Sequence, residues 1–424
     1  MKFLFVSRIA FTGDLAVKLL SEGHEVKYYI HEKSEKEVYD GLFEKVDKWD
    51  DWTNWAEVIL FDDSDFGDAP ASLRKEGKLV IGGTLYTDRL EMDRDFGQSE
   101  MKAAGMLTAP CWNFDNFDEA ISFVEKNPQR YVVKPNGVAQ SEKVLSFVGQ
   151  EDDGLDIHSI LIHYKKGWAN KIKSFQIQKY VTGVEVAVGA YFNGTDFLLP
   201  CCINFEHKRM FNGEIGPTTG EMGTSMFWSN NSKLFEDTLG RMKSRLADAG
   251  YVGYFDINCI ANSRGIYPLE TTSRFGAPTT SIQLEGITSP LGEFLHALAS
   301  RQTYNLKVKR GFQVGVVVAV PPFPFEDPKA FRKYSEDCIV VFKRPVKEGI
   351  WPGDVKLVEG DWRLTGSSGY VLVATGSGPT MEDARKEVYN RVKNIVIPNM
   401  FYRTDIGERW VRDGDLLRTW GYIN

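Results

Sequence analysis

The sequence is poor in several things that would each point somewhere definite. Its five cysteines, Cys111, Cys201, Cys202, Cys259 and Cys338, are odd in number and never fall in C-x-x-C spacing. They do not cluster with the six histidines. That argues against a disulfide framework or structural zinc, and for reduced thiols in a cytoplasmic setting. No apolar stretch reaches the roughly 18 residues that a membrane helix needs, so no membrane span is expected. The opening MKFLFVSRIA has a short apolar run without a cleavage site and reads as a first strand, not a signal peptide. The net charge is −7 with acids and bases interspersed, and no Lys/Arg block appears, so nucleic acid is not an expected partner. Glycine is missing where a dinucleotide fold needs it: the turn Ser7–Gly13 holds one glycine, not G-x-G-x-x-G.

What is present is an ordinary globular balance, 42% hydrophobic and 26% charged, over a length that suits two or three domains. Residues 1–95 alternate apolar runs (3–6, 26–30, 58–61, 79–81) with a helical stretch from Leu15 closed by Gly23. That is the order of a parallel α/β layer. Residues 96–130 read as helical, broken at Thr108-Ala109-Pro110. Strands are expected at 131–134, 175–181, 184–191, 252–260 and 266–272, and one amphipathic helix at 234–249. The proline-rich PPFPFEDP marks a boundary near residue 325, after which the chain is strand-rich.

Four segments carry chemistry. In YVGYFDINCIANSRGIYPLETTSRFG, period-2 alternation turns Asp256 away from Phe255 and Ile257. A turn centred near Ser263 places Asp256 opposite Glu270, give or take one residue. Two acids on adjacent strands suit a divalent cation, and Arg274 just beyond suits a phosphoryl group. Taken alone, a polar hairpin face turned to water explains this segment equally well. Lys134 ends the apolar YVVKP before Asn136-Gly137, where it either holds a phosphate as a point charge or snorkels to solvent. IQKYVTGVEVAVG is either a nucleotide hinge, with the backbone of Lys179 and Val181 reading a base and Glu185 a ribose, or a plain hairpin. FEHKRMFNGEIGPTTGEMG joins a basic triplet, His207-Lys208-Arg209, to a loop rich in glycine and hydroxyls whose N–H groups can approach an anion.

The order of these segments resembles the ATP-grasp ligases, and among them the phosphoribosylamine–glycine ligase family. That family shows VVKADG, EEFLxGEE, HKR…GPNTGGMG and LEFNxRFGDPE in the same sequence order. The tail GYVLVATGSGPTMEDARKEVY…MFYRTDIG is similar to the family's ending, and the resemblance spans roughly residues 96–407. It implies an α/β and α+β multidomain fold. An N-terminal parallel α/β domain (1–95) would precede an ATP-grasp core (96–325) with a mobile lid at about 120–185, then a C-terminal domain (326–424). It also implies an ATP-dependent, ADP-forming carboxylate–amine ligase working through an acyl phosphate. Its partners would be small-molecule carboxylates and amines, its working form a monomer or homodimer. ATP would be held by Lys134, Lys143, Gln178, Lys179, Val181 and Glu185. Mg²⁺ or Mn²⁺ would be held by Asp256, Glu270 and Thr272. Arg274, Lys208 and Arg209 would be catalytic. His207, Gly216, Thr218, Thr219, Gly220, Glu221 and Met222 would line the substrate pocket.

The sequence departs from that family at informative places. Its phosphate-holding turn GGREHA appears here as Ile9–Asp14, and its GPExPL as Phe61–Phe66. GPNTGGMG has become GPTTGEMG, which brings in Glu221, and LEFN has become LETT, which removes a metal-ligand side chain at Thr272. Asp256 is the expected substitute. The loop GKG has become Ser141-Glu142-Lys143. Acids at Asp14, Asp63 and Glu221 suggest a basic amine or amino-acid acceptor. A genuine phosphoribosylamine–glycine ligase and a non-catalytic nucleotide-binding relative are the alternatives. Retention of Lys134, Glu185, Asp256, Glu270 and Arg274 counts against the last.

Overall fold

A computed structural model of the chain describes residues 1–136 and 145–424. Lys143, with Ser141 and Glu142, lies outside the described residues.

The first layer is a five-stranded parallel sheet, in the order Glu44–Lys45, Glu25–Ile30, Lys2–Ser7, Val58–Phe61, Leu79–Ile81. Phe3, Leu4, Phe5 and Val6 are all fully buried, because the central strand of a parallel sheet is covered on both faces. The helix Gly13–Ser21 follows the first strand, and Gly23 turns the chain with φ +82°.

A four-stranded sheet comes next, ordered Cys111–Phe114, Phe175–Lys179, Tyr131–Pro135, Phe147–Val148. Helices Phe117–Lys126 and Leu155–Gly167 supply Ala120, Val124, Ile157 and Leu161 to its core. Cys111–Phe114 was expected to be helical but is an edge strand on Phe175–Lys179. Its aromatic residues find better packing there: Trp112 and Phe114 meet Phe123, and Phe114 stacks on Phe175.

The core is an eight-stranded antiparallel sheet. Its order is Gly265–Thr272, Gly253–Asn262, Val184–Phe192, Phe197–Glu206, Gly223–Ser229, Phe312–Ala319, Tyr370–Gly378, Ile350–Pro352. This sheet runs straight across the boundary expected near residue 325. Phe312–Ala319 pairs along its length with Tyr370–Gly378, and Val314, Val316 and Val318 share one core with Val371, Ala384 and Val388. The C-terminal segment therefore extends the core instead of closing a core of its own. Thr380 caps the helix Met381–Val392 through the Asp383 N–H, as its sequence suggests; Ile395 lies beyond that helix in a short strand.

The helix expected at 234–249 is two helices, Lys233–Asp237 and Leu239–Asp248. The break is at Thr238, whose φ −121° and ψ −92° are not helical and whose hydroxyl bonds back to the Leu234 carbonyl. Among the described residues, no helix is long and apolar enough to cross a membrane.

Candidate nucleotide and substrate site

Residues 180–183 do not form a hairpin turn. Phe175–Lys179 belongs to the four-stranded sheet and Val184–Phe192 to the eight-stranded one, so Tyr180-Val181-Thr182-Gly183 links two sheets. That is the connection a hinged lid requires. Beside it lies a cavity of about 470 Å³, lined by Lys179, Tyr180, Val181 and Thr182 from the link and by Arg264 and Tyr267 from the hairpin. The Lys179 N–H already donates to the Pro110 carbonyl, and Gln178 lies buried opposite Cys111.

The hairpin register differs from the expected one. The turn is only two residues, and a bulge at Leu269 then shifts the pairing, so Asn258 lies opposite Glu270 and Asp256 opposite Thr272. Without the bulge Glu270 would face the same side as Ile257, which is core. One extra residue flips the return strand and brings Glu270 and Thr272 onto the polar face with Asp256 and Asn258. Asn258, which the sequence reading did not single out as a ligand, is thus the cross-strand neighbour of Glu270.

Glu270 sits among cations. Lys208 Nζ is 3.3 Å from its carboxylate, and Arg94 and Lys134 bear on it electrostatically. Lys208 foremost, then Arg94 and Lys134, hold its carboxyl down at about 2, against the effect of burial. Burial, with Arg94 and Lys208 adding repulsion, pushes the Lys134 ammonium down to about 8. Lys208 also lies 3.3 Å from Glu185 and 3.4 Å from Glu206. Burial works against its charge, but Glu206, Glu270 and Glu185 outweigh it and keep the ammonium protonated. Arg94 carries no motif signal in the sequence. Its Nε is buried without a hydrogen-bond partner, as is Asn258 Oδ1. An unmet donor and an unmet acceptor beside a cation cluster suit phosphate and a metal ion respectively.

The loop 207–222 is tied down from inside. His207 is buried, with Nδ1 at 2.9 Å from Glu214 and 3.1 Å from Arg403, while the Gly407 N–H donates to Nε2. Both ring nitrogens are therefore engaged within the protein, not offered to a substrate. Arg403, itself almost wholly buried, also donates to the Arg209 carbonyl and to Asp405. Arg209 Nη1 donates to the Gly216 carbonyl, and Gly216 turns with φ +86°. Thr218 pairs with Arg209, and the Thr219 N–H and hydroxyl both donate to the Lys208 carbonyl. The Met222 N–H donates to His207, while Gly220 is exposed. The segment presents Lys208 and Glu221 to the polar face; its Thr219 hydroxyl holds its own backbone.

The three acids that suggested a cationic acceptor separate here. Asp63 lies 3.6 Å from Arg274, which also donates to Glu91 at 3.1 Å. Asp14 accepts from the Ser281 hydroxyl at 2.6 Å, and burial pushes its carboxyl up to about 6. Glu221 alone has a buried oxygen, Oε1, without a partner. At the first turn, Thr12 Oγ1 and the Tyr28 hydroxyl donate to Asp62 at 2.7 and 3.1 Å. Burial pushes that carboxyl up to about 7.

The ATP-grasp (A) domain of phosphoribosylglycinamide synthetase matches residues 92–280, and the C domain of the same family matches 314–409. The chain belongs to the ATP-grasp ligases. The phosphoribosylamine–glycine ligase of Streptococcus suis is 27% identical over 345 residues, 79% of this chain and 80% of that protein. The crystal structure of phosphoribosylamine–glycine ligase from Thermotoga maritima superposes with a TM-score of 0.72 at 21% identity, covering 96% of this chain and 100% of that one. The biotin carboxylase domain of 2-oxoglutarate carboxylase from Hydrogenobacter thermophilus, solved with MgADP and bicarbonate, gives 0.62 at 13% identity, covering 100% and 96%. The three-layer arrangement of this ATP-grasp chain is thus the fold of a nucleotide-binding structure as well as of its family.

Proposed function

We propose that this chain is an ATP-dependent, ADP-forming carboxylate–amine ligase of the phosphoribosylamine–glycine type. The observation that carries this reading is the convergence of Lys134, Arg94 and Lys208 on Glu270, beside the link between the two sheets. ATP with Mg²⁺ or Mn²⁺ would supply the phosphoryl group that turns a carboxylate into an acyl phosphate, from which an amine attacking the acyl carbon would expel phosphate. The chain's own part is positioning and charge. Lys134 and Arg94 would hold phosphate oxygens, and Glu270 with Asn258 would offer oxygens to the metal, with Asp256 and Thr272 one pair further along. Gln178, Lys179, Val181 and Glu185 would frame base and ribose. Arg274 is held by Glu91 and Asp63 at the end of the hairpin, where it stabilises charge on the transferred group.

The relatives favour glycine as the carboxylate and phosphoribosylamine as the amine. One observation favours a different amine. The helix Gly13–Ser21 follows the turn that would hold the sugar phosphate, and Asp62 already occupies that turn through Thr12 and Tyr28. A sugar phosphate there meets donors already taken by the Asp62 carboxyl in place of free ones. The test is ADP release from glycine with phosphoribosylamine, run beside glycine with a panel of cationic amines. Turnover with phosphoribosylamine alone establishes the family reaction, and turnover with another amine alone establishes the altered acceptor. No ADP from any pair, with either metal, refutes the ligase reading.

A further inference from the structure

The link between the two sheets is tied to the core at Asn262. This residue ends the strand Gly253–Asn262 and lines the cavity beside the link. Its Oδ1 accepts the Arg264 N–H at 2.9 Å across the hairpin turn. A backbone N–H can only donate, so that contact fixes the amide with Nδ2 pointing the other way. Nδ2 donates to the Thr182 carbonyl at 2.8 Å. The Asn262 carbonyl in turn accepts from the Tyr422 hydroxyl at 2.7 Å. One residue therefore joins the hairpin turn, the link 80 positions before it and the C-terminal tail 160 positions after it.

The link is anchored on both sides. Towards the four-stranded sheet, the Tyr180 N–H donates to the Arg130 carbonyl at 3.0 Å, and the Arg130 guanidinium lies 3.6 Å from the Tyr180 ring. Towards the eight-stranded sheet, Asn262 holds Thr182, and Gly183 lies so close that a Cβ there would come within 2.3 Å of the Ala261 carbonyl. Val181 lies between these anchors. Thr182 and Gly183 are exposed, so without the Asn262 bond that end of the link gains freedom, which a ligand must then remove on binding. The tail that steadies Asn262 is itself firmly seated. The Trp410 ring meets Phe205, Phe227 and Phe312 of the core sheet at 4.9–5.3 Å, and Leu417 and Tyr422 are buried. Arg409 donates to the Glu185 carbonyl at 3.2 Å, on the strand that follows the link. Residues 410–424 lie outside both matched family segments.

We infer that Asn262 is a positioning residue for the nucleotide base, and that Tyr422 holds it in place. Its amide sets the Thr182 carbonyl, and with it the neighbouring Val181 backbone that faces the base. This rests on the ligase reading and deepens it, by making the C-terminal tail part of what fixes nucleotide affinity.

Asn262→Asp keeps an oxygen for the Arg264 N–H but sets a second oxygen against the Thr182 carbonyl, so it breaks the bond to the link alone. Calorimetry with MgADP and with magnesium tripolyphosphate, which has phosphates and no base, separates base positioning from phosphate binding. Asn262→Asp is expected to weaken MgADP roughly tenfold and tripolyphosphate by less than about twofold, the loss of one hydrogen bond with an acceptor left facing an acceptor. Tyr422→Phe, which removes a single hydroxyl, should weaken MgADP about two- to fivefold with the same selectivity. A lower melting point with MgADP affinity unchanged in both variants would show a merely structural role and overturn the inference. Equal weakening of the two probes would overturn it too, because the whole site would then have loosened. If wild type does not bind MgADP, the ligase reading fails and the inference with it. If wild type binds MgADP and Asn262→Asp binds it equally well, the inference alone fails.

Discussion

Replacing Lys208 by methionine keeps most of the side-chain volume and removes its charge. The ammonium stands 3.3–3.4 Å from three carboxylates, but these are unequal. The side chains of Glu185 and Glu270 are 35% and 51% exposed and can be rehydrated, whereas that of Glu206 is 8% exposed. Breaking a buried pair costs about 3–5 kcal/mol, and exposed pairs cost ~1 kcal/mol or less. The Asn258 amide at 3.4 Å from Glu206 softens the loss, so about 2–3 kcal/mol is expected at pH 8. Burial, opposed by Lys208, already raises the Glu206 carboxyl, and without Lys208 it rises further. A carboxyl whose folded pKa lies above its unfolded value destabilises the fold fully above the folded pKa, and not at all below the unfolded one. The deficit should therefore shrink as pH falls from about 8 to about 5, as Glu206 takes up a proton. Scanning calorimetry of wild type and Lys208→Met across that range measures it. A deficit that is constant, or that grows in acid, refutes Glu206 as the uncompensated charge. Recovery at pH 8 in Lys208→Met/Glu206→Gln would support it.

The ammonium of Lys134, pushed down to about 8, loses its charge as pH rises through that value. MgADP affinity should fall several-fold between about pH 7 and 9, and Lys134→Arg should flatten the profile because a guanidinium stays protonated. An equally steep profile in that variant would remove Lys134 from the phosphate site. Glu270→Gln should cut ADP formation by roughly 100-fold or more while leaving the circular dichroism spectrum unchanged. Full turnover in Glu270→Gln would exclude it as a metal ligand.

Most elements of the fold were legible from local patterns. Phe3–Val6, Val58–Phe61 and Leu79–Ile81 are apolar runs, and each is a strand of the parallel sheet. Three of the unread strands, Phe197–Glu206, Gly223–Ser229 and Phe312–Ala319, lie in mid-sheet. Their polar faces, with Asn204, Thr224 and Gln313, are buried, so the usual contrast between a wet face and a dry face is lost. The break at Thr238 was hidden for a related reason. The apolar stripe is continuous in sequence, and a threonine hydroxyl bonding back to the Leu234 carbonyl leaves no trace in periodicity.

The sequence by itself determined the order of chemical groups: a lysine closing one strand, a glutamate after a glycine link, a basic triplet, then acids on a hairpin. Those follow from residue type and period and need no long-range contact. Only tertiary structure decided which of them meet. A single bulge at Leu269 chose Asn258 as the partner of Glu270, because an extra residue in one strand shifts every later pair. Arg403, 196 positions from His207, turned that histidine from a substrate ligand into a structural one. Asp14 and Asp63 found Ser281 and Arg274, while Glu221 and Asp256 kept unmet oxygens. Whether an acid is neutral, paired or poised for a ligand depends on what long-range packing brings within about 3–4 Å of it, and no local pattern encodes that.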